Sequence, residues 1–569
     1  VQYLRRKLAN LQLLNYMKNF LLFVLALISF SPTTSAQDRL TENEKLVSLC
    51  KVWGYLKYYH PVVSKGKIDW DQELIDNLSE FQNSEASESS TLYLDWLENL
   101  GKVKKTRNRR SSKGEIFNKN FDLQWLDNRQ WFSQELSNKL RYIEANRNVG
   151  RKYYVDKARG VGNVVIKNEE EYKNMEFPSY EYRLLNLFRF WNIIEYFYPH
   201  KYLLAKDWDQ ILESLIPKFL AVDNVTDYHL LLLEMLSTID DTHAFNFMTP
   251  AINESVGPYI VPFNFKLIDS SVVVTNLYDE KKAAENNIRT GDIILEVDGV
   301  PIKEIIEKKS KYVPASNEVT KLRGLYYWIF HGKDNDVELL VRSGEDLNTQ
   351  NVKRYTVEEL NFKAKNSLKW EKLEDNIGYV NLGNLRKEDV HEMMDSLWET
   401  KALILDVRRN AHSTMYGIGK FLKRKNGPFL YKIVPDLSYP GKYLMGEEVN
   451  CCKEINKHYE GQVVLLVNEF TQSHGEFTVM GLQSGDNVIT VGSQTAGSQA
   501  NVSFLNLIGG FPMMFTGVGY FYPDGTVTHG KGVKIDYVVE PTATGIKAGV
   551  DEILNMAIQV VNESGPKSQ

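Results

Sequence analysis

The stretch "NEFTQSHGEFTVMGLQ", residues 468–483, follows the apolar run "VVLLV" and holds one serine, one histidine and two glutamates. A serine between a buried strand and a helix suits nucleophilic chemistry. Its hydroxyl stands at the sheet edge, and backbone N–H groups gather where an oxyanion would develop. The same letters suit a structural role, because Ser473 and Glu476 fit the S-x-x-E capping box. The two readings can coexist. His474 is next to Ser473, but successive residues entering a helix point apart, so it is a poor base for that hydroxyl.

The elements that must position this serine are read from periodicity. After residue 365, apolar strands ("IGYVNLG", "ALILDV", "QVVLLVN", "NVITVG") alternate with amphipathic helices. That pattern predicts a parallel sheet covered on both faces, with sites outside the C-terminal ends of its strands. "NEFTQSHG" follows one such end and "RRNAHST" (408–414), with Ala411 and His412, follows another. Residues 255–360 read as alternating strands, and "IRTGDIILEVDGVPI" (288–302) resembles a PDZ domain of the bacterial protease type. Such modules bind extended peptide ends by adding a strand to a sheet edge.

Further upstream the chain repeats itself. "LVSLCKVWGYLKYYHPVVSKGKIDWDQEL" (46–74) aligns without a gap on "LLNLFRFWNIIEYFYPHKYLLAKDWDQIL" (184–212), so Trp53 matches Trp191 and "DWDQ" recurs. Each copy predicts a helix, an aromatic-proline stop and a second helix capped by aspartate. The second aspartate of each motif favours the helix dipole.

Bulk properties narrow the function. A net charge of −5 over 569 residues argues against nucleic acid as the main partner. The basic run at 102–115 has no interleaved aromatics and reads as a solvated loop. "MKNFLLFVLALISFSPTTSAQ", from Met17, has a charged start, a short apolar core and a small-residue cleavage site, so it predicts export, with residues 1–16 upstream of the natural start. No later stretch predicts a membrane span. Cys50, Cys451 and Cys452 are too few for a disulfide framework and read as buried or idle thiols. HExxH, paired CxxC, GxxxxGK[ST] and GxSxG are all absent, so zinc, P-loop and ordinary α/β-hydrolase chemistry have no sequence support.

Taken together, Thr471-Gln472-Ser473 with Glu476, then Thr495-Ala496-Gly497, then Gly532-Val533 with Asp536 resemble the S41 peptidase signature T-x-S-x-x-E, T-x-G, G-[IV]-x-x-D. That family includes the C-terminal processing proteases and the tricorn core proteases. The resemblance implies that Ser473 is the nucleophile. The lysine used by the processing branch, 25 residues on, is replaced by Ser498, and its companion glutamine by Val502. The tricorn branch uses a histidine before the PDZ module, and "IDDTHAF" (239–245) supplies Thr242 and His243, so the resemblance implies His243 as general base. His412 is the runner-up. Where tricorn-like enzymes carry a glutamate that orients the histidine, this chain has His529, which leaves Asp240, Asp241 or Glu476 to substitute. The resemblance implies oxyanion donors from His474 or Gly475 and from the turn holding Ala411 and His412, with Thr495 and Gly497 in a substrate loop.

The expected fold is multidomain α/β: residues 1–36 upstream and signal sequence, 37–176 an N-terminal helical domain, 177–254 a second helical segment, 255–360 a PDZ-like domain, and 361–569 a ClpP/crotonase-like α/β core with a mostly parallel sheet. The expected function is an exported serine endopeptidase, periplasmic or extracellular, that binds peptide substrates and uses no cofactor or metal. The alternatives are a catalytically degenerate peptide-binding scaffold and a non-peptide esterase.

Overall fold

The computed structural model describes residues 40–563 except 86–87, 107–113, 245–248, 363–367, 453–454 and 456. The predicted signal sequence and the centre of the basic run lie outside the described residues. Among the described residues no helix is long and apolar enough to cross a membrane.

The two repeat copies fold alike. Helices α1 (Glu42–Tyr59) and α2 (Trp70–Asn83) form the first, and α3 (Tyr180–Phe197) and α4 (Trp208–Ala221) the second. Asp69 caps α2 by accepting from Gln72 N, and Asp207 caps α4 by accepting from Asp209 N and Gln210 N. Within each copy two buried tryptophans exchange bonds. Trp53 Nε1 donates to the Trp70 carbonyl at 2.9 Å and Trp70 Nε1 to the Trp53 carbonyl at 3.0 Å. Trp191 and Trp208 do the same at 2.9 and 3.2 Å.

The second aspartates do more than favour a dipole. Asp71 pairs with Arg189, and Asp209 pairs with Lys51 at 2.6 Å. Lys51 and Arg189 are equivalent positions, as are Asp71 and Asp209, so each basic residue finds its acid on the other copy. Gly54 meets its own counterpart, for a Cβ there would fall 1.8 Å from Asn192 Oδ1. The copies therefore pack about a local two-fold axis. Lys57 and Glu169, 2.7 Å apart, complete the buried charge cluster around Asp71 and Arg189.

After α5 (Val225–Ser237) and a short turn at Thr242–Ala244, the chain enters an antiparallel sheet. Its strands, in spatial order, are β1 (Phe263–Ile268), β2 (Ser271–Leu277), β3 (Ile293–Val297), β4 (Asp336–Ser343) and β5 (Asp346–Lys353). The Asp298-Gly299 turn has φ of 49° and 73°, the left-handed pair that a two-residue hairpin requires. Helix α6 (Glu318–Gly324), capped by Asn317, covers the β1 end.

The C-terminal core is a six-stranded sheet of β6 (Trp370–Leu373), β7 (Ile377–Asn381), β8 (Ala402–Asp406), β9 (Gln462–Val467), β10 (Val488–Gly492) and β13 (Tyr537–Val538), parallel except for β6. Alternation sends Leu403, Leu405, Val463 and Leu465 to one face, with helices α7 (Val390–Leu397), α8 (Met415–Leu422) and α9 (His474–Leu482). It sends Ile404, Val464 and Leu466 to the other, against α10 (Glu552–Glu563). Both faces are covered, as the continuous apolar runs predicted. A hairpin of β11 (Val502–Leu507) and β12 (Phe511–Thr516) leaves this core and lies on the N-terminal half, where Ser503 Oγ donates to the Val164 carbonyl at 2.6 Å and Ile508 N to Asn186 Oδ1 at 3.1 Å.

The cysteine expectation is corrected in part. Cys50 is a free buried thiol, but Cys451 and Cys452 are joined to each other. Gly419 makes room for them, since a Cβ there would lie 2.5 Å from Cys452 Sγ.

Candidate active site

The turn after β9 is fixed before Ser473 is reached. Thr471 Oγ1 donates to the Val407 carbonyl at 2.9 Å and accepts from Asn468 N at 3.1 Å, and Thr471 N donates to the Asn468 carbonyl. The chain then enters α9 through Ser473 at φ 54°, ψ −114°, a conformation that costs a non-glycine residue on the order of 1–3 kcal/mol and so is held by its surroundings. One holding contact is Ser473 N donating to the Ser498 carbonyl at 3.1 Å.

The capping-box reading is overturned. Ser473 precedes α9, but its side chain makes no capping bond. Glu476 is fully buried and turns the other way. It accepts from Thr495 Oγ1 (2.6 Å), Gly497 N (2.7 Å) and Ser498 N (2.9 Å). Burial pushes the Glu476 carboxyl up, and these three bonds oppose that rise. Glu476 thus ties down the 495–498 loop that in turn holds Ser473, and the Ser473 hydroxyl caps no helix and has no hydrogen bond among the described residues.

His243 sits in the turn between α5 and the β1–β5 sheet. Asp241 Oδ1 accepts the His243 backbone N–H at 3.0 Å and lies 3.3 Å from the ring Nδ1. Thr516 Oγ1 is 3.1 Å from the same Nδ1, and Thr516 N donates to Asp241 Oδ2 at 2.5 Å. A carboxylate only accepts, so Nδ1 carries the proton and Nε2 presents a lone pair. Nε2 is buried and has no hydrogen-bond partner among the described residues, so no bond joins it to Ser473 Oγ in this structure. Burial alone would raise the Asp241 carboxyl; the bond and charge of His243 and the Thr516 N–H outweigh it and hold it below the usual carboxylate range.

Two loops and one helix end join the serine turn to the histidine turn. Gly530 N donates to the Gly497 carbonyl at 2.9 Å. Asn317 Nδ2 donates to the carbonyls of Thr495 (2.8 Å) and Gly530 (3.1 Å). Thr242 N donates to Ser316 Oγ at 2.9 Å, and Thr242 Oγ1 accepts from Ser316 N. Thr242 therefore anchors the histidine turn at the start of α6, its hydroxyl bonded to Ser316 and Thr320. Gly497 has φ 67°, and a Cβ on it would lie 2.8 Å from the Gly530 carbonyl carbon. Only glycine fits there.

Several expected roles change. The Gly475 N–H is spent on the Gln472 carbonyl at 2.9 Å, which removes it as an oxyanion donor, whereas His474 N, first in the helix, has no acceptor among the described residues. Thr495 and Gly497, expected to meet substrate, have their polar groups engaged inward by Glu476, Asn317 and Gly530. His412, the runner-up base, accepts at Nδ1 from Arg386 at 3.0 Å and so is already committed. Ala411 is buried in the same turn, beside β8. The His474 ring stacks on Phe477 with centroids 6.0 Å apart and planes 19° from parallel. Thr516, Asn317 and Ser316 carry no local motif and were not singled out from the sequence.

Comparison with known proteins bears on this arrangement. Residues 376–539 match the family model for peptidase family S41, and residues 258–377 match that for a PDZ domain. The C-terminal part of this chain is thus similar to an S41 peptidase domain. A probable CtpA-like serine protease of Staphylococcus aureus (strain N315) is 22% identical over 307 residues, covering 51% of this chain and 55% of that protein. The chain thus spans about half the length of the curated relatives it matches. Among solved structures, mature CPAF complexed with lactacystin is 14% identical with a TM-score of 0.52, covering 68% of this chain and 99% of that one. A mutant CPAF structure reaches 0.55 at 15% identity, with the same coverage. These likenesses show a shared fold.

The PDZ domain meets the S41 domain directly beside Ser473. Arg323 of α6 donates to the Glu469 carbonyl and to Gln472 Oε1 (2.6 Å), and Lys266 of β1 pairs with Glu469 at 2.7 Å. Between them lies a cavity of about 650 Å³, bounded by Phe265, Leu322 and Tyr326 on the PDZ side and by Phe470 and Ser493 on the S41 side. One edge of β1 has no neighbouring strand among the described residues.

Proposed function

We propose that this protein is a serine peptidase in which Ser473 is the nucleophile, His243 the general base and Asp241 the group that orients it. The observation that carries the reading is the pairing of states in the two turns. The Ser473 hydroxyl is free of its capping role, and His243 is locked with its proton on Nδ1 and its lone pair on Nε2.

In this mechanism an extended peptide lies along the β1 edge and the cavity beside it, and its scissile carbonyl reaches Ser473. His243 Nε2 takes the hydroxyl proton as Oγ attacks the carbonyl carbon, and Asp241 stabilises the imidazolium. The N–H of His474, with one from Ala411 or His412, holds the oxyanion. The imidazolium returns the proton to the leaving amine. Water then attacks the acyl-enzyme with His243 as base, releasing the acid and restoring Ser473. The apolar segment after Met17 supports a place of action outside the cytoplasm.

The test is labelling of the mature protein with a fluorophosphonate probe, comparing wild type with Ser473→Ala and His243→Ala. Labelling of wild type alone is expected; labelling that survives Ser473→Ala removes the assignment. The absence of a Ser473–His243 bond favours a second reading, a peptide-binding protein of the same fold that has lost hydrolysis. A folded wild type that binds peptide and takes no probe selects it.

A further inference from the structure

A second histidine lies close to the first. His529, in the 528–532 loop, stacks on His200 with ring centroids 4.1 Å apart and planes 5° from parallel, both rings buried. His529 Nε2 is 3.1 Å from the Asp240 carbonyl and 2.9 Å from Tyr198 Oη. A carbonyl accepts only, so Nε2 carries the proton; the Tyr198 hydroxyl has given its own hydrogen to the Ile239 carbonyl at 3.0 Å and accepts from His529. The proton is thus assigned by its partners.

What this ring grips is the segment before the base. Ile239, Asp240 and Asp241 precede Thr242 and His243, and Asp240 stands at φ 45°, a left-handed conformation that a non-glycine residue adopts only under constraint. The loop carrying His529 also reaches the nucleophile's side, through Gly530 N on the Gly497 carbonyl. One short loop therefore touches both halves of the candidate pair.

Resting on the peptidase reading above, we infer that His529 is a positioning residue. Its Nε2–H on the Asp240 carbonyl, steadied by the stack on His200, holds the 239–241 turn so that the Asp241 carboxylate meets His243 Nδ1. The carboxylate comes from the turn of the base itself, and a neutral imidazole in the neighbouring loop keeps that turn in place.

The test compares two variants of the full chain. His529→Gln keeps an N–H donor near the Nε2 position, and His529→Phe keeps a ring on His200 but no donor. Peptide hydrolysis in His529→Phe is expected to fall about tenfold or more in kcat with KM unchanged, and His529→Gln to stay within about threefold of wild type. Imidazole nitrogen NMR of His243 gives a readout independent of turnover: the Nδ1–H tautomer is expected in wild type and His529→Gln, and mixed tautomers in His529→Phe. If wild type proves unable to hydrolyse or take the probe, that tautomer pattern still upholds the positioning role while the peptidase reading fails. Identical His243 spectra in all three proteins overturn the inference whatever the activity, as does an equal loss of kcat in both variants. Should His529→Phe not fold, His529→Leu, which also lacks the donor, is expected to shift kcat and the tautomer balance in the same direction, and an unchanged spectrum there overturns the inference.

Discussion

Asp241 and His243 stand two residues apart in one turn and still meet side chain to side chain, with Asp241 Oδ1 3.0 Å from the His243 backbone N and 3.3 Å from its Nδ1. A local pair of this kind does not depend on two distant segments docking correctly. It depends on the backbone of the turn, which Thr516, Ser316 and His529 hold from three other parts of the chain.

Asp241→Asn keeps the size of the side chain but can present an N–H to Nδ1, which favours the wrong tautomer. It is expected to lower kcat by about 10²-fold or more with little change in KM, as loss of an oriented general base does. Steady-state kinetics on a peptide substrate, with circular dichroism to confirm folding, is the measurement.

Glu476→Gln should impair the protein although Glu476 is fully buried. Its two oxygens accept three donors, and an amide would set an NH₂ group against Gly497 N–H or Ser498 N–H. The expected loss is about 1–3 kcal/mol of stability, read as a lower denaturation midpoint, together with reduced labelling of Ser473. Unchanged stability and labelling would contradict the loop-anchoring role.

Two glycine substitutions separate backbone strain from crowding. Gly525 has φ 81° and open space around its missing side chain, so Gly525→Ala should cost only the left-handed backbone term, about 1–2 kcal/mol. Gly497→Ala adds a clash with the Gly530 backbone and should cost clearly more, with loss of probe labelling. Urea denaturation of both variants compares them.

Acid should destabilise the protein before its carboxylates titrate. Burial lowers His200 and His529, and it holds His60 down to about 4. An unfolded histidine binds its proton near pH 6.5, whereas these folded ones stay neutral, so the unfolded state takes up more protons as pH falls below that value. Stability contributed by the neutral rings is complete above about pH 6.5 and is lost progressively below it. The groups facing the stacked pair are Tyr198, Asp240, Asp241 and His243. Melting temperature should drop from pH 7 to pH 5, and drop less in His200→Phe.

Much of the core was legible because its signals are local. Continuous apolar runs gave a parallel sheet covered on both faces, and the strand-to-helix turn marked Ser473. The S-x-x-E pattern misled, since the letters of a capping box also describe a nucleophile followed by a buried carboxylate that reaches across to Gly497 and Ser498. His243 was legible only through resemblance, because nothing in "DDTH" distinguishes a base from a helix-end histidine. Thr516, Asn317 and the crossed charges of the repeat could not be found from the sequence. Each acts on a residue more than a hundred positions away, where no spacing rule operates.

The crossed ion pairs of the two N-terminal copies set a boundary for anyone who would shorten this protein. A chain begun at the second copy would still hold the PDZ and S41 domains and every residue of the candidate site. It would also leave Arg189 without Asp71 and Asp209 without Lys51, and lay bare the α3 surface that α1 covers. Apolar surface so uncovered costs about 25 cal/mol for each Å², against a whole-domain stability of only about 5–15 kcal/mol. The smallest unit that keeps its fold therefore reaches back to Glu42, and the leading copy belongs to the protein's body as fully as the sheet that bears Ser473.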